Sequence, residues 1–178
     1  MLIVENDICQ ITENIWELML GLPVVRQPEA GPAEPRDDAI TGCIWITGAW
    51  EVTVLMECSA ELARKATARM FDKAAPEVDL DDIRDAVGEL THMIGGGFKS
   101  LLPGTCFLTM PLLLDGNNYG VTLESRGVVC EVAFECEKQP LRVRLLIPNE
   151  HNALGKNGRI GPPSPSARRR RRLSGSLS

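Results

Sequence analysis

The sequence predicts an α/β protein of the α+β kind, in which helices pack on a largely antiparallel sheet. Three observations predict it. Apolar residues recur at helical spacing in three separate segments, alternating apolar runs flank those segments, and the elements follow the order helix, two strands, two helices, four strands.

The first helix is expected over 7–20, where Ile8, Ile11, Ile15, Leu18 and Met19 share a face and Gly21 and Pro23 end the pattern. Residues 26–38 hold three prolines and mixed charge and read as a surface loop. Ile40 to Thr47 and Glu51 to Cys58 read as a hairpin with one packed face, made by Val52, Val54, Met56 and Cys58. Ser59 caps a second helix, with Glu61 in its first turn and basic residues toward its end. Asp79 caps a third, with Asp82 placed to close a capping box. Four strands follow. Thr105 to Leu114 is continuous and apolar, which predicts a central strand buried on both faces. Tyr119 to Ser125 leads to a turn at Arg126-Gly127. Val128 to Glu137 and Leu141 to Ile147 alternate and are joined through Lys138-Gln139-Pro140, a register that sets Glu135 beside Arg142 and turns Arg142 and Arg144 outward.

Charge divides the chain. Of 19 basic and 24 acidic residues, seven basic and one acidic lie after residue 149, which leaves 12 basic and 23 acidic before it. A folded domain over 1–148 is therefore strongly acidic, which argues against nucleic acid as its ligand. Residues 149–178 lack periodicity, are rich in Gly, Pro, Ser and Arg, and read as a disordered basic tail. Arg168 to Arg172 fit a solvated tail, an anchor to an anionic surface, or a segment docking on its own acidic body, and the sequence does not choose among them. The six cysteines form no CxxC pair and read as reduced thiols filling the core. No signal-peptide pattern and no apolar run near 18 residues occurs, so a cytoplasmic protein without a membrane span is expected.

The third helix carries the chemistry. In DLDDIRDAVGELTHMIGGGFKSLLPG, residues 79–104, a rotation of about 100° per residue gathers Ile83, Val87, Leu90, Ile94, Phe98 and Leu101 on one face. Asp82, Asp85, Glu89, His92 and Gly96 fall on the opposite face, presenting carboxylates and an imidazole outward. A solvated face is the default for such a pattern. No metal site is expected: Glu89-x-x-His92 matches half of a di-iron motif, but the other histidine is His151, in the tail. No nucleophile elbow accompanies His92, and no glycine-rich loop ends in Lys-Ser/Thr.

These residues carry a resemblance. Asp85, three residues, Glu89, two residues and His92, then Met93 to Gly97 and Leu101-Leu102, resemble the signature helix of the CheC/CheX/FliY chemotaxis phosphatases. That family's pattern is Asp or Ser, three residues, Glu, two residues, Asn, with a proline on the strand beyond; Pro111 stands for that proline, at a shorter spacing. Ile11 to Trp16 with Met19 to Leu22 also resemble the N-termini of CheX-like members, and the likeness spans roughly residues 3–147. The first helix has no second Glu-x-x-Asn, which favours a CheX-like over a CheC-like assignment.

The resemblance implies a CheC/CheX-like fold and a hydrolase acting on a phosphorylated CheY-like receiver in two-component signalling. Glu89 and His92 would be inserted into the receiver's active site to orient a water that attacks the aspartyl phosphate. Asp82, Asp85 and Gly96 would contact the partner. The chain would need no cofactor of its own, since Mg2+ is supplied by the receiver, and a homodimer through the sheets is in keeping with CheX-like proteins. His92 departs from the family asparagine, so a second reading stays open: an inactive CheX-like adaptor that binds a receiver or a flagellar-switch protein.

Overall fold

The computed structural model describes residues 5–28, 38–114 and 126–149. The expected strand at 119–125 and the basic segment at 150–178 lie outside the described residues, as does most of the loop at 26–38.

Among the described residues, seven antiparallel strands form one sheet, with helices on one of its faces. The order in the chain is α1 (Glu5–Leu20), β1 (Val25–Arg26), β2 (Ala39–Gly48), β3 (Val52–Ser59), α2 (Ala60–Phe71), α3 (Leu80–Leu101), β4 (Cys106–Leu108), β5 (Leu112–Leu114), β6 (Arg126–Cys136) and β7 (Gln139–Pro148). The strands lie in the order β1-β6-β7-β3-β2-β4, and β5 shares the outer edge of β2 with β4. Three helices on an antiparallel sheet is the expected class. The main core lies between the layers, where Ile8 and Trp16 of α1, Leu62 of α2 and Leu90, Ile94 and Phe98 of α3 meet Ile44, Val54, Met56, Val143 and Leu145 of the sheet.

The local signals act as read. Ser59 Oγ accepts from the Leu62 amide at 3.1 Å, satisfying one of the free donors at the start of α2. Asp79 and Asp82 complete a capping box on α3. All six cysteines are free, five of them buried. Burial pushes the Cys43 and Cys58 thiols up to about 12, so both behave as small apolar groups.

Several expectations fail, among them Leu18 and Met19 on the packed face of α1, which are exposed while Trp16 is buried. Thr105 to Leu114 is not a central strand but two short edge strands on β2, interrupted at Thr109–Pro111. Thr109 fills the gap: its amide donates to the Trp45 carbonyl at 3.0 Å and its Oγ1 accepts from the Trp45 amide at 3.1 Å. Pro111 has no amide to continue the ladder, and Pro is confined to edges for that reason.

Arg126-Gly127 is not a turn but the start of β6, and Arg26 belongs to a short strand rather than a loop. The β6–β7 connection is the two-residue turn Glu137-Lys138, both at positive φ, which closes Cys136 on Gln139. That register sets Glu135 opposite Pro140 and Arg142 opposite Ala133, so the expected Glu135–Arg142 neighbours are two rungs apart; a bulge at Val128–Cys130 then shifts the alternation of β6 and leaves Val128 exposed.

The second face of the sheet is not uniformly solvated either. Cys43, Leu55, Leu114 and Leu146 form a separate buried cluster there. Arg144 points to that face yet is only 8% exposed, held by Glu57 at 2.6 Å and Glu131 at 3.4 Å.

Candidate functional site

Helix α3 is fixed at its start and along its inner face. Its capping box anchors the start, and Ile83, Val87, Leu90, Ile94 and Phe98 are buried. Glycine allows the closest approaches. A Cβ on Gly42 of β2 would lie 2.0 Å from Thr91 Oγ1, one on Gly95 2.7 Å from Ile44 Cγ2, and one on Gly97 2.7 Å from Ile11 Cγ2. Two of the three consecutive glycines thus let α3 pack against β2 and α1.

The outer face of α3 opens on a cleft of about 770 Å³. Its helical wall is Arg84, Asp85, Gly88, Glu89 and His92; its other wall is Met110, Pro111, Leu112 and Leu113. The break between β4 and β5 supplies that second wall: Thr109 stays bonded to Trp45 of β2, while Met110 and Pro111 leave the ladder and line the cleft. Gly88 marks the approach: a Cβ there would sit 3.6 Å from Pro111 Cγ. Glu89 is exposed and His92 half-buried, so both side chains are accessible to a macromolecular partner. Met110 is 82% exposed and Leu112 43%, which puts an apolar rim beside the two polar side chains.

The structure thus brings Asp85, Glu89 and His92 together with Pro111. It does not bring Asp82 or Gly96 to the cleft. Lys73 Nζ donates to both Asp82 oxygens at 2.7 Å, and one of those oxygens also accepts from the Asp79 amide at 3.2 Å. The Lys73 hydrogen bond, with the Asp79 amide behind it, holds the Asp82 carboxyl below its ordinary range. Gly96 lies one turn beyond His92, where a Cβ would be 3.9 Å from Leu108 Cδ1.

Sequence reasoning does not reach Arg84, Gly88, Met110, Leu112 or Leu113; of the second wall it names Pro111 alone. Gly88 carried a signal, since glycine inside a helix is unfavourable by about 1 kcal/mol and its presence flags a close approach. Arg84 shares a helix stripe with Gly88 and His92, at spacings of four. Among the described residues, no group of three or more His, Cys, Asp or Glu side chains is placed to hold a metal ion, and no helix is long and apolar enough to cross a membrane.

Comparison with known proteins bears on the fold and the family. No curated protein matches the chain by sequence. Among solved structures, the chain resembles the chemotaxis protein CheX of Vibrio vulnificus, at 18% identity and a TM-score of 0.62, covering 79% of this chain and 93% of that one. It also resembles a chain in the CheX-CheY-BeF3-Mg2+ complex of Borrelia burgdorferi, at 14% identity and a TM-score of 0.64, covering 83% of this chain and 99% of the other. CheX of Desulfovibrio desulfuricans follows at 16% identity and a TM-score of 0.58, covering 80% and 97%. At such identities these likenesses bear on the fold. The family model for the chemotaxis phosphatase CheX matches residues 40–135, a span that holds α3, Pro111 and both walls of the cleft, and the chain belongs to that family.

Proposed function

We propose that this protein dephosphorylates a phosphorylated CheY-like receiver, with Glu89 and His92 entering the receiver's active site from one face of α3. The observation that carries this reading is the meeting of Asp85, Glu89, His92 and Pro111 in a single cleft. Positions three apart on a helix project to the same side, so one rigid element delivers both side chains. The apolar rim at Met110 and Leu112 supports a protein substrate, because a small acyl phosphate would have no use for it.

In this reading Glu89 docks against a cationic group of the receiver, and His92 orients the water. A neutral imidazole has one acceptor nitrogen, which takes a hydrogen bond or a proton from that water. Water oxygen bonds to phosphorus as the bond from phosphorus to the aspartyl oxygen breaks. The receiver recovers its carboxylate, and inorganic phosphate and a proton leave. Catalysis of this kind rests on alignment and electrostatics rather than a covalent intermediate. In this reading the Mg2+ is the receiver's own; the Borrelia burgdorferi complex contains CheX, CheY, BeF3 and Mg2+.

The imidazole at position 92 favours a second reading, an inactive adaptor that holds the receiver through the same face. An asparagine amide offers a carbonyl and an NH2 group together, which a single imidazole does not. A single-turnover assay separates the two: a receiver is phosphorylated with acetyl phosphate, and its decay is followed with wild-type protein and with His92→Ala. Acceleration by wild type that is lost in His92→Ala supports the enzyme; no acceleration over the receiver's own decay, with binding retained, supports the adaptor.

A further inference from the structure

The cleft that carries Asp85 and Glu89 is a poor place for a phosphoryl group unless something offsets their charge. An acyl phosphate brings close to two negative charges, and two carboxylates beside it repel it. Among the described residues lining the cleft, Arg84 is the only permanent cation. It stands one turn before Gly88, the position where α3 has no side chain and Pro111 closes in. Gly88 is buried against Pro111, so Arg84 and His92 line the cleft on either side of that contact.

Arg84 is held loosely where it stands. Its Nη1 donates to Asp81 Oδ1 at 3.0 Å, an i,i+3 pair with both side chains largely exposed. Such pairs contribute little and are screened by salt, so the guanidinium can exchange Asp81 for a stronger acceptor. Asp81 lies outside the cleft lining. A planar fork of donors suits phosphoryl oxygens better than it suits one carboxylate oxygen.

We infer that Arg84 is the specificity-determining residue of this cleft: it makes binding depend on the receiver's phosphorylation by contacting the phosphoryl oxygens, and Asp81 competes with that contact in the free protein. The inference rests on the proposed receiver-directed function. It assigns a role to a residue outside the Asp, Glu, Asn and Pro pattern of the family.

The test compares Arg84→Gln, Arg84→Lys and Asp81→Asn in the full chain. Binding is measured to one CheY-type receiver in two states, free and loaded with beryllofluoride, and turnover to the same receiver phosphorylated with acetyl phosphate. Arg84→Gln weakens binding to the beryllofluoride state by about three- to tenfold, flattens its salt dependence, and leaves binding to the free receiver unchanged. In turnover, its half-saturating concentration rises by more than its saturated rate falls. Arg84→Lys recovers part of the loss, as charge without the fork. Asp81→Asn acts in the opposite direction and tightens binding to the loaded state.

A purely structural role for the Arg84–Asp81 pair predicts that Arg84→Gln and Asp81→Asn act alike, since each breaks the pair, and that result overturns the inference. Equal losses in both receiver states overturn it too, as does a wild-type protein that does not distinguish the states. Failure of catalysis is separate: a wild-type protein that prefers the loaded receiver but does not speed its decay defeats the phosphatase reading, while the contribution of Arg84 is still read from binding.

Discussion

Helices α1 and α3 pack against each other on the same face of the sheet, and each carries a glutamate three residues before a ring-bearing side chain. In α1 the pair is Glu13 and Trp16; in α3 it is Glu89 and His92. Trp16 is fully buried in the core, whereas His92 sits half-buried at the mouth of a cleft. The spacing is the same and the outcome opposite, because the helical phase differs. Glu89 and His92 both lie on the face turned from the apolar stripe, while Trp16 falls within the stripe of Ile8 and Leu20. A Glu-x-x-ring motif is therefore not a site by itself. What makes one in α3 is the phase, together with an edge strand that breaks at Thr109–Pro111 and supplies a second wall.

The largest expected effect separates the two helices by stability. Trp16→Ala removes a fully buried ring and should lower unfolding free energy by about 3–5 kcal/mol, read from urea denaturation. His92→Ala should change it by less than about 1 kcal/mol, because an accessible side chain leaves no cavity. Comparable losses from the two would mean that His92 is a core residue and would end the comparison.

The second effect separates them by rate. His92→Ala should slow the accelerated decay of a phosphorylated receiver by about 100-fold, the lower range for loss of a group that handles the proton of an attacking water. His92→Asn should keep or raise the rate, as an amide restores the arrangement typical of the family. A histidine that only fills space predicts no change with either variant.

Much of α3 was legible in the sequence because its determinants are local. The stripe from Ile83 to Phe98 and the Asp79–Asp82 box need only the helix itself, and Asp85, Glu89 and His92 follow from the same rotation. Asp82 is read both as cap and as partner contact; the structure shows the cap, with its oxygens taken by Lys73 and the Asp79 amide. The opposite wall was not legible. An apolar run such as Thr105 to Leu114 reads as one buried strand until it is known that β2 already pairs with β3 on its other side and that Pro111 cannot extend the ladder. The burial of Arg144 likewise depends on Glu57, 87 positions away in sequence.

The glycines of α3 sharpen the same contrast at smaller scale. Gly95→Ala and Gly97→Ala push a methyl group to 2.7 Å from Ile44 and Ile11 side-chain carbons, and overpacking of that kind is destabilising by about 1–3 kcal/mol. Gly96→Ala meets nothing closer than 3.9 Å and should stabilise the helix by up to about 1 kcal/mol. The midpoint of thermal unfolding should thus fall for the first two variants and rise for the third. A fall for all three would show that α3 has no open face at Gly96.

The smallest effect concerns the acids of α3 and depends on pH. The Asp82 carboxyl is held below its ordinary value of 3.8, first by the hydrogen bond from Lys73 and then by the Asp79 amide. Its partner Lys73 is held above its ordinary value of 10.5, first by the hydrogen bond to Asp82. A depressed carboxyl stabilises the fold above its unfolded value, and that contribution is lost as pH falls through the folded value. A raised lysine contributes below its unfolded value and loses its contribution as pH rises through the folded one. The pair therefore supports the start of α3 across the range between them, and Asp82→Asn should lower the thermal midpoint modestly at pH 7. That deficit should shrink as pH falls below about 4, where the unfolded carboxyl takes up its proton first, and vanish once the folded one is protonated too. A deficit that stays constant down to pH 2 would mean that the shape of the capping side chain, and not its charge, anchors the helix that presents Glu89 and His92.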